Sequence, residues 1–285
     1  MNTVPGSGLQ PPVIIAVLGS ALLHACWNAI AHGIKDQLVA FALIGAGGLL
    51  PAIPLLVWAA PPAAACRPYL AVSAVLQIAY SLLLMQSYKV GEFGQVYPLA
   101  RGTSPLLVAG FATAFVGEHL SLPQMTGVVL IPVGLGSLAL VGGRPSRPAL
   151  LAAVGTGLAI AAYTVVDGFG ARLSSSALAY IAWLKLLQGA GVLLAAAASR
   201  RGALIGQARR VWRIGLTGGI LSAAAYGLVL WAQTRGALAP IAALRETSII
   251  IGAILGTLLF HEPFGRSRIT ATVFVATGII LLNLP

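Results

Sequence analysis

Ten apolar stretches of about 20 residues follow one another along this chain and leave no room for a soluble domain. A helix of that length crosses the hydrocarbon core of a bilayer, and the absence of water there forces the backbone to be helical. The predicted spanning helices cover residues 13–33, 38–60, 68–88, 94–117, 121–141, 149–170, 176–198, 212–234, 237–260 and 269–285. The predicted fold class is an all-α integral membrane protein with ten transmembrane helices.

The charge distribution favours a lipid surface over nucleic acid as the partner of this chain. Charged residues make up 8% of the sequence and hydrophobic residues 58%, whereas a soluble domain carries about a quarter charged residues. The net charge of +11 comes from basic residues that lie singly or in the connections between apolar stretches. Five arginines lie within residues 199–213, which we expect at the membrane surface. The expected partners are the lipid bilayer and a small molecule, with no nucleic acid.

Neither a metal nor a cofactor is expected. The two cysteines, Cys26 and Cys66, lie in or beside apolar stretches, and their spacing is not that of metal ligands, so we predict buried free thiols. Residues 1–12 form an N-terminal tail without positive charge or a cleavage site, which is not the pattern of a signal peptide.

The chain repeats itself when it is shifted by 144 residues. An ungapped register of 34 residues then contains nine identities, and the scarce charged residues are among them. Arg101 falls on Arg245, Thr103-Ser104 on Thr247-Ser248, and Glu118 on Glu262. The predicted repeats cover residues 13–141 and 149–285 with five helices each. An odd number of helices reverses the second half in the membrane, so inverted repeats are predicted.

The segments 97–105 and 243–248 resemble the repeat units of a known family. Each contains an arginine followed by Thr-Ser, as in the five-helix modules of EamA-type members of the drug/metabolite transporter superfamily. The resemblance implies ten helices, alternating access, and a central cavity lined by the first, third, fourth, sixth, eighth and ninth helices. Members carry amino acids, other small metabolites, sugar conjugates or drugs, so the resemblance does not name a substrate. A bacterial inner membrane is the expected location.

Arg101 and Arg245 are the main candidates for binding substrate. An ionised side chain in the middle of a spanning helix costs roughly 2.5–3.5 kcal/mol, so each one needs a reason. A guanidinium group can hold a carboxylate or phosphate by paired hydrogen bonds. The alternative is a structural ion pair, for instance of Arg245 with Glu246 or Asp167, or a side chain that reaches the interface. Polar candidates near the two arginines are Tyr97, Ser104 and Ser248.

Two acids are candidates for proton coupling. Asp167 and Glu246 lie within predicted spans, where burial favours exchange of a proton, although pairing with an arginine would make either one structural. Lys185 lies near the middle of its predicted helix, and we expect it to reach toward the lipid head groups. Glu118 and Glu262 fall at helix ends, and a role at the boundary between two helices is favoured over contact with the substrate.

Polar side chains on several helices are predicted to line a cavity. His24, Trp27 and Asn28 share one face of the first helix, and a polar stripe should face protein or water, not lipid. His24 is also a candidate proton carrier. The further substrate-binding candidates are Tyr80, Tyr163, Tyr226 and Gln233. Hydrogen bonds between helices would explain these residues equally well.

These observations predict a secondary transporter, not an enzyme, for a carboxylate-bearing or zwitterionic metabolite such as an amino acid. A flippase for a lipid-linked sugar or head group is the first alternative, and a scaffold that transports nothing is another. A membrane enzyme is disfavoured because the chain has six acids and no cluster with metal-binding spacing. The orientation stays open: the basic connections place both termini outside, whereas the family resemblance places them in the cytoplasm. The sequence indicates no oligomeric state.

Overall fold

The computed structural model describes residues 9–58, 61–91, 93–117, 120–139, 145–174, 176–199, 203–260 and 266–282. Within these ranges all regular secondary structure is helical, so the predicted all-α class is confirmed. Glu118 and Glu262 lie outside the described residues.

Twelve α-helices lie in the described part of the chain. They are α1 (Pro11–Gly33), α2 (Gln37–Trp58), α3 (Arg67–Val90), α4 (Phe93–Phe111), α5 (Leu122–Ala139), α6 (Arg147–Leu173), α7 (Ala177–Ser199), α8 (Ala203–Ala208), α9 (Trp212–Gln233), α10 (Leu238–Arg245), α11 (Thr247–Phe260) and α12 (Arg266–Leu282). A short 3-10 helix, Ala64–Cys66, leads into α3, and a π-helical turn, Ala112–Val116, extends α4.

Six of these helices are long and apolar enough to cross a bilayer: α1, α2, α3 with its 3-10 turn, α6, α7 and α9. Shorter apolar helices cover Leu122–Ser137 and Ile269–Leu281. Large apolar side chains are exposed along the bundle, up to 89% at Trp58 and 75% at Val57. Soluble proteins seldom expose so much apolar surface, whereas a bilayer solvates it. The chain is therefore a multi-pass integral membrane protein.

The structure differs from the sequence prediction between residues 237 and 260. The sequence predicts one continuous helix there, but the structure divides it into α10 and α11 at Glu246. The Thr247 hydroxyl donates to the Leu244 carbonyl, and the Ile249 N–H donates to the Glu246 carbonyl. Each donor lies three residues after its acceptor, whereas the backbone bonds of an α-helix span four residues. The interruption lies beside Arg245, inside the bundle. Residues 199–213, predicted as a surface connection, include the short helix α8.

Helix packing follows a regular pattern. The most extensive contacts join α5 to α12, α3 to α6, α2 to α7, and α1 to α9. In addition, α2 contacts α9, α4 contacts both α5 and α6, and α1 contacts both α10 and α11. Residues 13–141 and residues 149–285 are therefore interleaved, and most of the large interfaces join a helix of one half to a helix of the other.

Glycine allows α2 and α9 to touch through their backbones. A Cβ atom on Gly47 would clash with the Leu216 carbonyl oxygen, and one on Gly219 would clash with the Ile44 carbonyl oxygen. No larger residue fits at either position without a shift of backbone. Close approach through small residues is the usual way in which membrane helices associate, because lipid provides no hydrophobic force between them.

Candidate functional site

A buried ion pair joins α4 to the junction of α10 and α11. Arg101 Nε lies 2.9 Å from Glu246 Oε2, and Arg101 Nη2 lies 3.0 Å from Glu246 Oε1, so the guanidinium group holds both carboxylate oxygens. The two side chains are 2% and 0% exposed. Arg101 Nη2 also donates to Ser248 Oγ at 3.3 Å. This paired geometry is the strongest form of an Arg–carboxylate contact. Glu246 of the second half is therefore paired with Arg101 of the first half.

His24 on α1 contacts both the ion pair and Trp27. Its Nε2 is 3.1 Å from Arg101 Nη1, and its Nδ1 is 3.1 Å from Trp27 Nε1. Arginine and indole nitrogens are both donors, whereas a neutral imidazole has a single acceptor nitrogen. Only one of the two contacts can be a hydrogen bond at a time. His24 is thus a contact point that can favour either Arg101 or Trp27.

Arg245 has no comparable partner among the described residues. Its side chain is 2% exposed, and its Nε and Nη2 atoms have no hydrogen-bond partner there. The sequence allowed an ion pair of Arg245 with Glu246, but the structure gives that carboxylate to Arg101. Arg245 lies close enough to interact electrostatically with Glu246 and Tyr163, but no ion pair joins it to that carboxylate. Its unused N–H donors favour a further anionic acceptor.

The repeat explains why one arginine is paired and the other is not. The shift of 144 residues that aligns Arg101 with Arg245 places Gly102 opposite Glu246. Gly102 has no side chain, and a Cβ atom there would meet the Leu135 side chain at 3.0 Å, on the side of α5. The position of the first half that matches Glu246 therefore offers no carboxylate to Arg245. The five buried charged side chains in the described residues consist of three cations and two anions, namely Arg101, Lys185, Arg245, Asp167 and Glu246.

Asp167 on α6 is held by neutral donors. Its carboxylate accepts from Gln77 Nε2 at 2.9 Å, from the Tyr180 hydroxyl at 2.8 Å, and from the Tyr226 hydroxyl. The side chain is fully buried and has no ion-pair partner in the part of the chain that the structure describes. These donors come from α3, α7 and α9, so the carboxylate ties α6 to three other helices.

Lys185 stays inside the bundle and does not extend toward the lipid head groups. The residue is 6% exposed, its ammonium group lies 4.8 Å from the centre of the Tyr226 ring, and it donates to Gln188 Oε1 at 2.8 Å. Because the Tyr226 hydroxyl donates to Asp167, one tyrosine separates this cation from the buried acid. The contact with the ring is a favourable cation–π interaction.

A polar cavity of about 50 Å³ lies beside these groups, enough for a few water molecules. The ring of Tyr163 lines it, with the rings of Tyr80 and Tyr226 packed edge-on against Tyr163 at 5.5 and 5.8 Å between centroids. Lys185 and Gln188 also line the cavity. Aromatic rings with polar tips are suited to hold a molecule that has both apolar and polar parts.

The predicted site residues separate into two groups. The cavity is lined by His24, Trp27, Tyr80, Tyr163 and Tyr226. Buried residues outside that lining are Asn28, Tyr97, Arg101, Ser104, Gln233, Arg245 and Ser248. Asn28 accepts from the Tyr88 hydroxyl at 3.0 Å, which joins α1 to α3. The side-chain oxygen of Gln233 has no partner among the described residues, whereas its main-chain carbonyl oxygen accepts from Arg172 Nε at 2.9 Å.

Two contributors were missed by sequence reasoning. Tyr180 donates to Asp167, and Gln188 binds Lys185, yet neither was a site candidate. Their only signal was that a phenol and an amide inside apolar helices need hydrogen-bond partners. The described residues contain no group of three or more side chains that could hold a metal ion.

The comparisons with known proteins agree with this architecture. A protein solved by crystallography superimposes with a TM-score of 0.75 over 94% of this chain and 95% of its own, at 16% sequence identity, so the two share a fold. An uncharacterized protein of Methanocaldococcus jannaschii is 39% identical over 67 residues. That match covers 24% of this chain and 48% of the archaeal protein, so the chain spans about half the length of that relative.

The family comparison indicates a membrane protein of the transporter class. Residues 147–284 match the EamA-like transporter family. The chain therefore carries an EamA-like transporter domain, as expected for the drug/metabolite transporter superfamily, and the resemblance seen in the sequence is confirmed.

Proposed function

We propose that this protein is a secondary transporter for a small carboxylate-bearing or zwitterionic metabolite, such as an amino acid, in a bacterial inner membrane. The observation that carries the proposal is the buried guanidinium group of Arg245, whose Nε and Nη2 atoms have no partner among the described residues. A substrate carboxylate would accept from both atoms. It would also balance the surplus positive charge of the buried set, three cations against two anions.

The energetics favour a bound anion at Arg245. Hydrogen bonds to charged groups contribute about 1.5–3 kcal/mol each, and a buried charge without a partner costs a comparable amount. Arg101 has already satisfied this need with Glu246. A carboxylate that enters the bundle therefore gains more at Arg245 than at Arg101, unless the carboxylate of Glu246 is first displaced. Arg245 is the primary binding group in this proposal, and Tyr163, within electrostatic reach of it, connects it to the cavity.

We further propose ten spanning helices in two inverted halves. In this scheme α1 corresponds to α6, α2 to α7, α3 to α9, α4 to α10 with α11, and α5 to α12. The packing supports it, because exchange of the two halves maps each major contact onto another: α3 with α6 becomes α9 with α1, and α4 with α6 becomes α10 and α11 with α1. The contacts of α2 with α7 and of α5 with α12 map onto themselves. Such a two-fold relation is typical of alternating access, in which the halves rock about a central site.

Asp167 is the proposed proton carrier. Glu246 is engaged by Arg101 on both oxygens, whereas Asp167 accepts from neutral donors and makes no ion pair among the described residues. Replacement by asparagine (D167N) removes the proton site with little change in size. We expect D167N to lose uptake driven by a pH gradient but to keep exchange of labelled for unlabelled substrate. Equal pH-driven uptake by D167N and the parent protein would exclude this role.

The test of the binding proposal is uptake into proteoliposomes. The parent protein should take up alanine in a saturable manner and reject alaninamide, which lacks the carboxylate. Arg245→Gln keeps a polar side chain but removes the charge. We expect its KM for alanine to rise by about 10- to 100-fold, because one or two hydrogen bonds to a charged group are lost.

The matched control is Arg213→Gln. Arg213 is exposed at the start of α9 and stacks on Trp212 at 5.3 Å, far along the helix from the Asp167 partner Tyr226. Its replacement should leave the KM unchanged. Saturable uptake by R245Q with the parent KM, in folded protein, would show that Arg245 does not bind the substrate.

A further inference from the structure

A second, larger space lies beside the polar cavity. Its volume is about 800 Å³, a size typical of sites for drug-sized ligands, and residues of α1, α2, α7 and α9 line it. Lys185 is its one charged lining residue in the described part of the chain, and the others are glycine or apolar residues. We call this space the apolar chamber.

The apolar chamber opens at one end of the bundle. Its wall includes the first turns of α1 and α7, at Pro12 and Ala177, and the last turns of α2 and α9, at Leu55 and Trp231. Ile15 and Leu178 line the chamber and are 70% and 58% exposed, so the opening faces outward from the bundle.

The apolar chamber and the polar cavity share a wall. Lys185 and Gly48 line both spaces, and a Cβ atom on Gly48 would lie 4.0 Å from Lys185 Cδ. The ammonium group of Lys185 has three N–H donors, and one of them donates to Gln188 Oε1. A buried ammonium group with donors to spare among the described residues is therefore placed at the boundary between an apolar and a polar compartment.

We propose that the substrate is amphipathic: its carboxylate passes Lys185 into the polar cavity while an apolar chain of several carbons occupies the apolar chamber. This inference rests on the proposed function and narrows its substrate class. A purely hydrophilic solute would lose hydration in the apolar chamber and gain no contact there. An apolar chain gains burial, and the carboxylate gains the remaining donors of Lys185 before it reaches Arg245. A lipid chain that only fills the space would make no use of the ammonium group at its inner end.

The experiment measures uptake of a graded series of substrates. Straight-chain α-amino acids from alanine to 2-aminooctanoate keep the same zwitterionic end and lengthen the apolar chain one methylene at a time. Each methylene buried in the chamber should lower the KM by about two- to fourfold. Proteoliposomes with the parent protein should therefore show a steep dependence of KM on chain length.

Two variants fill the apolar chamber from different walls. Ala224→Trp projects from α9 and Ala16→Phe from α1, and both parent residues line the chamber. For each variant, we expect the KM to rise at least tenfold more with the eight-carbon amino acid than with alanine. The control is Val75→Trp on α3, where the parent residue is 67% exposed and lines neither space. It should keep the dependence on chain length.

The outcomes separate this inference from the proposed function. A parent KM that does not change with chain length, or filling variants that impair every member of the series equally, would overturn the amphipathic substrate and leave transport intact. Absence of saturable uptake of every member by folded parent protein would overturn both proposals.

Discussion

Residues 97–105 in the first half and 241–249 in the second share the pattern Arg-x-Thr-Ser, in which x is any residue, but they fold differently. In the first half the segment lies within the uninterrupted helix α4, and Gly102 follows the arginine. In the second half the helix breaks after Arg245, and the break presents Glu246 to Arg101. The carboxylate thus pairs with one of the two matched arginines, and Arg245 has no ion pair among the described residues. The comparison shows that a repeat can preserve two charges while their partners differ.

The largest effect should come from removal of the shared carboxylate. Glu246→Gln leaves Arg101 buried without its ion-pair partner. Breaking a buried ion pair from one side costs about 3–5 kcal/mol of unfolding free energy, which chemical unfolding in detergent can measure. The double variant R101M/E246M, which removes both charges, should recover most of this loss. An E246Q variant as stable as the parent protein would contradict the assignment of the pair.

The next effect sharpens the difference in ligand binding. At 100 times its Kd, a ligand that binds only folded protein raises the unfolding free energy by about 2.7 kcal/mol. We expect 2-aminohexanoate to stabilise the parent protein and R101M/E246M, which both retain Arg245. It should not stabilise Arg245→Met at the same concentration. Thermal unfolding with increasing ligand checks this, and equal stabilisation of R245M would place the binding group elsewhere.

Removal of Arg245 should change the free energy of unfolding in the opposite direction to removal of Arg101. Arg245→Met deletes a buried cation whose Nε and Nη2 atoms have no hydrogen-bond partner among the described residues, so unfolding in the absence of ligand should require about 1–3 kcal/mol more free energy. Arg101→Met instead strands Glu246 and should destabilise. The two variants have the same chemistry, so each controls the other. Equal destabilisation by both would mean that Arg245 has a partner.

The smallest effect concerns the matched serines. Ser248 Oγ accepts from Arg101, whereas Ser104 Oγ has no partner among the described residues, although both residues are fully buried. Ser248→Ala should cost about 1 kcal/mol, the value of an ordinary hydrogen bond, and Ser104→Ala should be neutral or slightly stabilising. Chemical unfolding of the two variants side by side makes this measurement. A larger loss for S104A than for S248A would reverse the assignment.

Much of the helical architecture could be predicted from the sequence. Apolar stretches of bilayer length specify helices, and the predicted bounds of α1, α3 and α9 differ from the structure by at most two residues at each end. The break at Glu246 was not predicted, because apolar residues continue on both sides of it and neither proline nor glycine lies within residues 245–248. Thr247, which donates to the Leu244 carbonyl, is matched in the repeat by Thr103 inside the unbroken α4.

The pairing of charges was harder to predict than their burial. Arg245 and Glu246 are neighbours in sequence, which suggested an ion pair between them. Successive residues in a helix point in directions about 100° apart, so neighbours do not face each other, and the carboxylate of Glu246 reaches another helix. The donors around Asp167 come from positions 77, 180 and 226. No local spacing relates those positions, because only the packing of α3, α7 and α9 around α6 brings them together.

The backbone contact of α2 with α9 restricts how the protein can move. Gly47 and Gly219 lie on helices of different halves, and each approaches the main chain of the other helix as closely as atoms allow. The helices cannot come nearer at this level, so any movement of α2 against α9 has to be a separation, a slide or a rotation about this contact. Because Gly219 also lines the polar cavity, each of these movements would alter the cavity wall.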